Sequence, residues 1–198
     1  MSRKSGSWYK FIALVVALAL MVPILAGCGE QQIPQWKGDP IVQTQYGAVK
    51  GFEDENNTWV WKAIPLAKPP VGELRWKAPQ EPEPWEGIRA ETEFCEKCTQ
   101  PDPVSGQIVG GEDCLYLNVW RPRTEETGLP VYVWIYGGGN SIGSASDEMY
   151  WGANLASKSN MVYVSMNYRL GPLGWFTHPA LRTGNKLDDS GNYGTLDI

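Results

Sequence analysis

The sequence predicts an α/β fold that opens on antiparallel strands and passes into a mostly parallel sheet. Three observations point to it. Residues 41–64 alternate in short stretches broken at Tyr46-Gly47 and at Glu55-Asn56-Asn57. Residues 131–136 and 161–167 are short apolar runs. Between them, Tyr150 to Lys158 has helical character. Strand, helix and strand in that order form the crossover unit of a parallel sheet.

The chain begins with an address. Arg3, Lys4 and Lys10 precede or flank an apolar run over residues 11–25, which closes on Leu25-Ala26-Gly27-Cys28. A charged start, a short apolar stretch and small residues at its end read as a secretory signal. The run falls short of the ~20 residues that cross a bilayer, and Pro23 sits near its end. The Leu-Ala-Gly-Cys ending resembles a bacterial lipoprotein cleavage box, which implies a lipid on Cys28. The expected organisation is therefore a signal peptide at 1–27, a lipidated cysteine and polar tether at 28–40, and a folded region at 41–198. That places the protein outside the cytoplasm, anchored to a membrane through its N-terminal lipid. The alternatives are a secreted protein and a membrane span. Loss of residues 1–27 removes three basic residues and no acidic ones, so the net charge moves from −5 to −8. An acidic chain without a basic cluster excludes nucleic acid as a partner.

Residues 41–64 are expected to form three short strands, with Trp59, Trp61 and Ala63 on one face of the third. Pro65, Pro69, Pro70, Pro79, Pro82 and Pro84 then exclude both helix and central strand, so this passage should wrap over the surface. Residues 115–120 and 131–136 read as strands joined by a polar loop. The second is expected to be a buried strand ending on Gly137, Gly138 and Gly139. Three glycines leave backbone N–H groups uncovered by any Cβ, able to point at a ligand oxygen. In isolation the same string is a tight turn.

Cys95, Cys98 and Cys114 remain once Cys28 is assigned to lipid, in a compartment where disulfides persist. The Cys-x-x-Cys spacing of Cys95 and Cys98 suits zinc or redox chemistry. A zinc site needs about four ligands, and the chain adds one further cysteine and a single histidine, His178. The sequence therefore implies no metal and no cofactor. Its ten tryptophans are read as strand and core residues and indicate no ligand.

Five strings, in order and at similar spacing, resemble the type-B carboxylesterase family, which includes the cholinesterases. They are TQYGAVKGF from Thr44, IPLAKPPVGELRWKAPQ from Ile64, and CTQ at 98–100 with GEDCLYLNVW at 111–120. VYVWIYGGGNSIG follows from Val131, then VYVSMNYRLGPLGWF from Val162 leading to GNYGTLDI at the end. The resemblance covers nearly everything after the first forty residues and implies the α/β-hydrolase fold. It further implies a Cys98–Cys114 disulfide, with Cys95 left to compete for Cys114 or to pair outside this chain. It implies oxyanion donors in the amides of Gly138 and Gly139, and ion pairs Arg75–Glu112 and Arg169–Asp197. Tyr136 stands where many members have histidine, and tyrosine also occurs there among the cholinesterases. Asn140 departs from an aromatic that usually lines the acyl pocket.

Ester hydrolysis in this fold needs a serine on a strand-to-helix elbow, then an acid, then a histidine. Gly139-Asn140-Ser141-Ile142-Gly143 matches G-x-S-x-G literally, but Ser141 lies five residues past the strand and well before a helix. The resemblance makes this stretch the oxyanion loop. His178 precedes any plausible serine and acid, and reads as a loop histidine. The expectation is the N-terminal part of an α/β-hydrolase, truncated before the nucleophile elbow. It would serve a hydrolase of small carboxylic esters and be inactive alone. Residues 99–113 hold no aromatic residue to carry a quaternary ammonium, so choline esters are not expected. The alternatives are a non-catalytic cholinesterase-like binding or adhesion domain and an inert remnant. Oligomeric state is not indicated.

Overall fold

The computed structural model describes Trp36 and residues 38–198. The expected signal peptide, Cys28 and the tether as far as Gln35 lie outside the described residues, as does Lys37. Trp36 already belongs to the folded unit. Its ring packs on Trp59 and Trp61 at 6.2 and 6.3 Å, with the Arg121 guanidinium 5.1 Å from its centroid.

Residues 41–64 form four strands rather than the expected three, and they divide between two sheets. β1 (Ile41–Gln43) pairs antiparallel with β2 (Ala48–Lys50) around a turn in which the Thr44 hydroxyl accepts the N–H groups of Tyr46 and Gly47. After Gly51, whose N–H donates to Pro40 O, the chain enters a second sheet as β3 (Phe52–Asp54) and β4 (Thr58–Pro65). Ala63 interrupts β4. It adopts φ +48 within a bulge between Trp61 and Ile64, and its N–H donates to the buried Asn118 Oδ1 at 3.1 Å. The expected Trp59, Trp61, Ala63 alternation therefore holds for the two tryptophans, which share a core cluster that Ala63 does not join.

The proline-rich passage carries one 3₁₀ turn and no strand until β5 (Ile88–Arg89), which lies parallel to β2. A short hairpin follows, β6 (Gln100–Pro101) with β7 (Ile108–Val109). β8 (Tyr116–Pro122), β9 (Val131–Trp134) and β10 (Val162–Met166) complete a five-stranded sheet of order β3-β4-β8-β10-β9. In that sheet β9 and β10 are parallel and the other neighbours antiparallel.

The crossover between β9 and β10 is α1 (Ala153–Ser159). Its buried Ala153 and Ala156 pack against Val60, Trp120 and Tyr163, three residues brought level by register: Trp120 lies opposite Val60 on β4 and Tyr163 on β10. Small helix residues let the large rings of the sheet fill the layer, and Trp120 is fully buried. The helix stops at Asn160, which takes the left-handed conformation at φ +48 while the N–H groups of Asn160 and Met161 cap Ala156 O. Two short helices follow, α2 (Gly171–Gly174) and α3 (Tyr193–Asp197).

β9 is the correction to the sequence reading. It ends at Trp134, and it is exposed rather than buried, with Val131 63% and Val133 48% accessible. Among the described residues β9 has β10 on one side and no strand on the other, and no described element covers its face opposite α1. Tyr132 stacks on Tyr163 and Trp134 on Tyr150, toward the side that α1 covers. Side chains alternate along a strand, so Val131 and Val133 face the other way.

Candidate active site

Beyond β9 the chain is held by a reciprocal pair of tyrosines. The Tyr136 and Tyr168 rings stack at 4.5 Å. Tyr136 OH donates to Tyr168 O at 3.3 Å, and Tyr168 OH donates to Tyr136 O at 2.6 Å. Burial pushes both phenols above their ordinary pKa. This pair fixes where the glycine run departs.

Gly137, Gly138, Gly139 and Asn140 then stand exposed at the surface. Gly138 takes φ +141, and a Cβ there would collide with Ile142 O, so this position excludes a side chain on both counts. Gly139 and Asn140 follow at φ +61 and +59. The Gly138 carbonyl accepts the N–H groups of Ser141 and Ile142 at 3.1 and 3.3 Å, folding the loop back on itself. Among the described residues, the Gly138 and Gly139 N–H groups donate to no protein acceptor. Adjacent unengaged amides on an anchored loop can receive a developing negative oxygen.

Three further ties hold the loop, and reading the sequence missed all of them. Gly171 N–H donates to Asn140 O at 2.7 Å, Ala145 N–H to Asn167 Oδ1 at 2.9 Å, and Gly143 N–H to Gln100 Oε1 at 2.8 Å. Gln100 and Asn167 lie inside the CTQ and NYRLG strings, but nothing local says which amide each reaches. Their partners are 43 and 22 residues away.

Ser141 lies on this loop and not on an elbow. Its hydroxyl donates to Gly139 O at 3.1 Å, and the next described helix of any kind after it begins only at Glu148. His178 is exposed, with Nδ1 accepting Ala180 N–H at the start of a 3₁₀ turn.

Cys98 and Cys114 are joined by a disulfide, and Cys95 is a free thiol beside them. Asn167 Nδ2 lies 3.3 Å from Cys95 Sγ, whose pKa burial raises to about 11. Arg75 grips Glu112 in bidentate fashion, Nε to Oε2 at 2.6 Å and Nη2 to Oε1 at 2.5 Å. Arg169 holds Asp197 likewise, at 2.9 and 2.7 Å. Among the described residues no three His, Cys, Asp or Glu side chains gather as metal ligands. An apolar cavity of about 430 Å³ lies elsewhere, lined by Val42, Tyr46, Val49, Trp61, Trp85 and Val119 among others and by no residue of the glycine loop. Its surface is almost wholly apolar, although Thr44, Gln45 and Arg121 belong to the lining, so the chemistry favours the loop.

The carboxylesterase family matches residues 38–198. The chain is 45% identical over 162 residues to a para-nitrobenzyl esterase of Bacillus subtilis (strain 168), covering 79% of this chain and 32% of that protein. It is also 45% identical over 162 residues to a fumonisin B1 esterase of Sphingopyxis macrogoltabida, covering 80% and 29%. A solved PNB esterase superposes with a TM-score of 0.72 at 42% identity, over 81% of this chain and 32% of that one. A Geobacillus stearothermophilus carboxylesterase at pH 6.2 does so with a TM-score of 0.70 at 38% identity, over 80% and 32%. These structures have the α/β-hydrolase fold, and the mixed sheets here form part of it. The chain spans about a third of the length of the relatives it matches.

Proposed function

This chain belongs to the carboxylesterase family, and we propose that it supplies the oxyanion-binding half of a serine carboxylic-ester hydrolase. In this reading the Gly138 and Gly139 amides accept the oxyanion of the tetrahedral intermediate. Serine, acid and histidine come from sequence beyond residue 198, and residues 29–198 alone turn over no ester. The supporting observation is the pair of unengaged amides on a loop tied down on every side. Losing one such donor costs about 3 kcal/mol of transition-state stabilisation. The substrate class is a small carboxylic ester without a quaternary ammonium, because residues 99–113 contain no aromatic residue.

Lipid attachment at Cys28 and an extracytoplasmic, membrane-anchored location complete the proposal. They rest on the basic start, the short apolar run and the Leu-Ala-Gly-Cys ending. Mass spectrometry of the mature N-terminus tests them, and an unmodified N-terminus other than Cys28 rules them out.

The activity is tested with p-nitrophenyl esters of short acyl chains. Residues 29–198 should release p-nitrophenol at the background rate. A longer form carrying a serine elbow should release it rapidly, and Gly138→Pro should abolish that release by removing one donor and constraining φ. Undiminished turnover in a folded Gly138→Pro form overturns the assignment.

A further inference from the structure

We propose that Gln100 is a positioning residue for the Gly137–Gly143 loop, aiming the Gly138 and Gly139 amides at the oxyanion; the proposal rests on the oxyanion role proposed for those amides. Gln100 sits on β6, two residues past the disulfide cysteine Cys98, and is 6% exposed. Its carboxamide meets Gly143 as a neighbouring strand would. Gly143 N–H donates to Oε1 at 2.8 Å, and Nε2 donates back to Gly143 O at 2.8 Å. The second Nε2 hydrogen goes to Cys98 O at 2.9 Å. Both donors and the acceptor are used, which fixes the amide's orientation.

The clamp reaches the amides through the loop's own bonds. Gly143 adopts φ +124, and a Cβ there would strike the Tyr136 ring, so the loop's end is pressed against its start. Holding Gly143 holds Ile142, whose N–H, with that of Ser141, binds the Gly138 carbonyl. The described chain has no cis peptide bond. In a planar trans peptide the N–H points opposite to the C=O. A Gly138 carbonyl directed into the loop therefore turns the Gly139 N–H outward. Gln100 is thus placed to govern the direction of a donor it does not touch.

The test is hydrogen–deuterium exchange on the 198-residue chain, which needs no catalysis. Gln100→Leu should speed exchange of the Ser141, Ile142 and Gly143 amides by roughly tenfold or more, from the loss of both hydrogen bonds to Gly143. Residues 162–166 of β10 should keep their protection, and peptide mapping should find the Cys98–Cys114 bridge intact. If Gln100→Leu does not fold, Gln100→Glu decides, since its size is kept and its two donors are lost. It should loosen the loop at neutral pH and restore part of the protection factor in acid, where the protonated carboxyl regains one donor. Loop protection unchanged from wild type in a folded variant overturns the proposal. In a longer, active form, Gln100→Glu should lower kcat with little change in KM. A loosened loop with kcat unchanged would leave the clamp standing and count against the oxyanion assignment instead.

Discussion

Arg169 and Asp197, 28 residues apart, meet in a single three-point contact. Asp197 accepts the Arg169 backbone N–H and Nε on Oδ2, both at 2.9 Å, and Nη2 on Oδ1 at 2.7 Å. A third guanidinium bond, from Nη1, goes to Lys77 O, and the cation lies over Tyr193 at 5.3 Å. Both side chains are buried. One ion pair therefore joins the segment after β10, the proline-rich passage and α3.

Removing one partner from such a pair strands the other charge in the interior. Asp197→Ala should lower the unfolding free energy of this chain by about 3–5 kcal/mol in urea titrations. Glu112→Gln, at the partly exposed Arg75 pair, should shift the midpoint much less. Equal shifts for the two variants would contradict this ranking.

The Cys98–Cys114 bridge closes a loop with a sequence separation of 16. Chain entropy gives such a closure ~3 kcal/mol. Reduction should lower the urea midpoint accordingly, and loosen the loop that carries Gln100. A midpoint unmoved by dithiothreitol, with free thiols demonstrated at both positions, would refute the contribution.

The residues that were legible in the sequence are those whose identity alone restricts their partner. Arginines and carboxylates at Arg75, Glu112, Arg169 and Asp197 lie in family strings, and their contacts follow the resemblance. The β9–α1–β10 crossover was equally readable, because apolar runs on either side of a helical stretch leave few arrangements. Other features depend on distant geometry. Nothing around Ala63 announces φ +48, since alanine has no preference for it, and only the bond to Asn118 explains the bulge. Gln100 looks like any glutamine after a cysteine until Gly143 is placed beside it. The valines of β9 read as buried because their composition suits a core, and composition does not say which face of a strand the described elements cover.

Cys95 gives a pH prediction. Burial, the largest cause, raises its thiol from 9.0 to about 11. The folded state thus holds the proton more tightly than the unfolded chain. Its contribution to stability is fully present below about pH 9 and is lost as pH rises toward 11. Iodoacetamide should label folded Cys95 far more slowly at pH 8 than the denatured chain, because the thiolate is the reactive form. Equal labelling rates in the two states would show that the thiol is not shielded.

Ser141 separates the two readings of the glycine loop most sharply. A nucleophile must stand between strand and helix with its hydroxyl free for a base. Ser141 instead folds into a turn, its N–H on Gly138 O and its hydroxyl on the exposed Gly139 O. Removing that hydroxyl deletes one surface hydrogen bond, worth about 1 kcal/mol, and leaves the Gly138 and Gly139 amides in place. In a longer, active form, Ser141→Ala should therefore retain kcat within roughly fivefold, the factor that such an energy allows. Replacement of a true nucleophile lowers turnover by orders of magnitude. A Ser141→Ala protein that folds normally but is inactive would make Gly139-Asn140-Ser141-Ile142-Gly143 the nucleophile motif. It would also remove Gly138 and Gly139 from the oxyanion role, because the serine would then occupy the ground assigned to the substrate's oxygen.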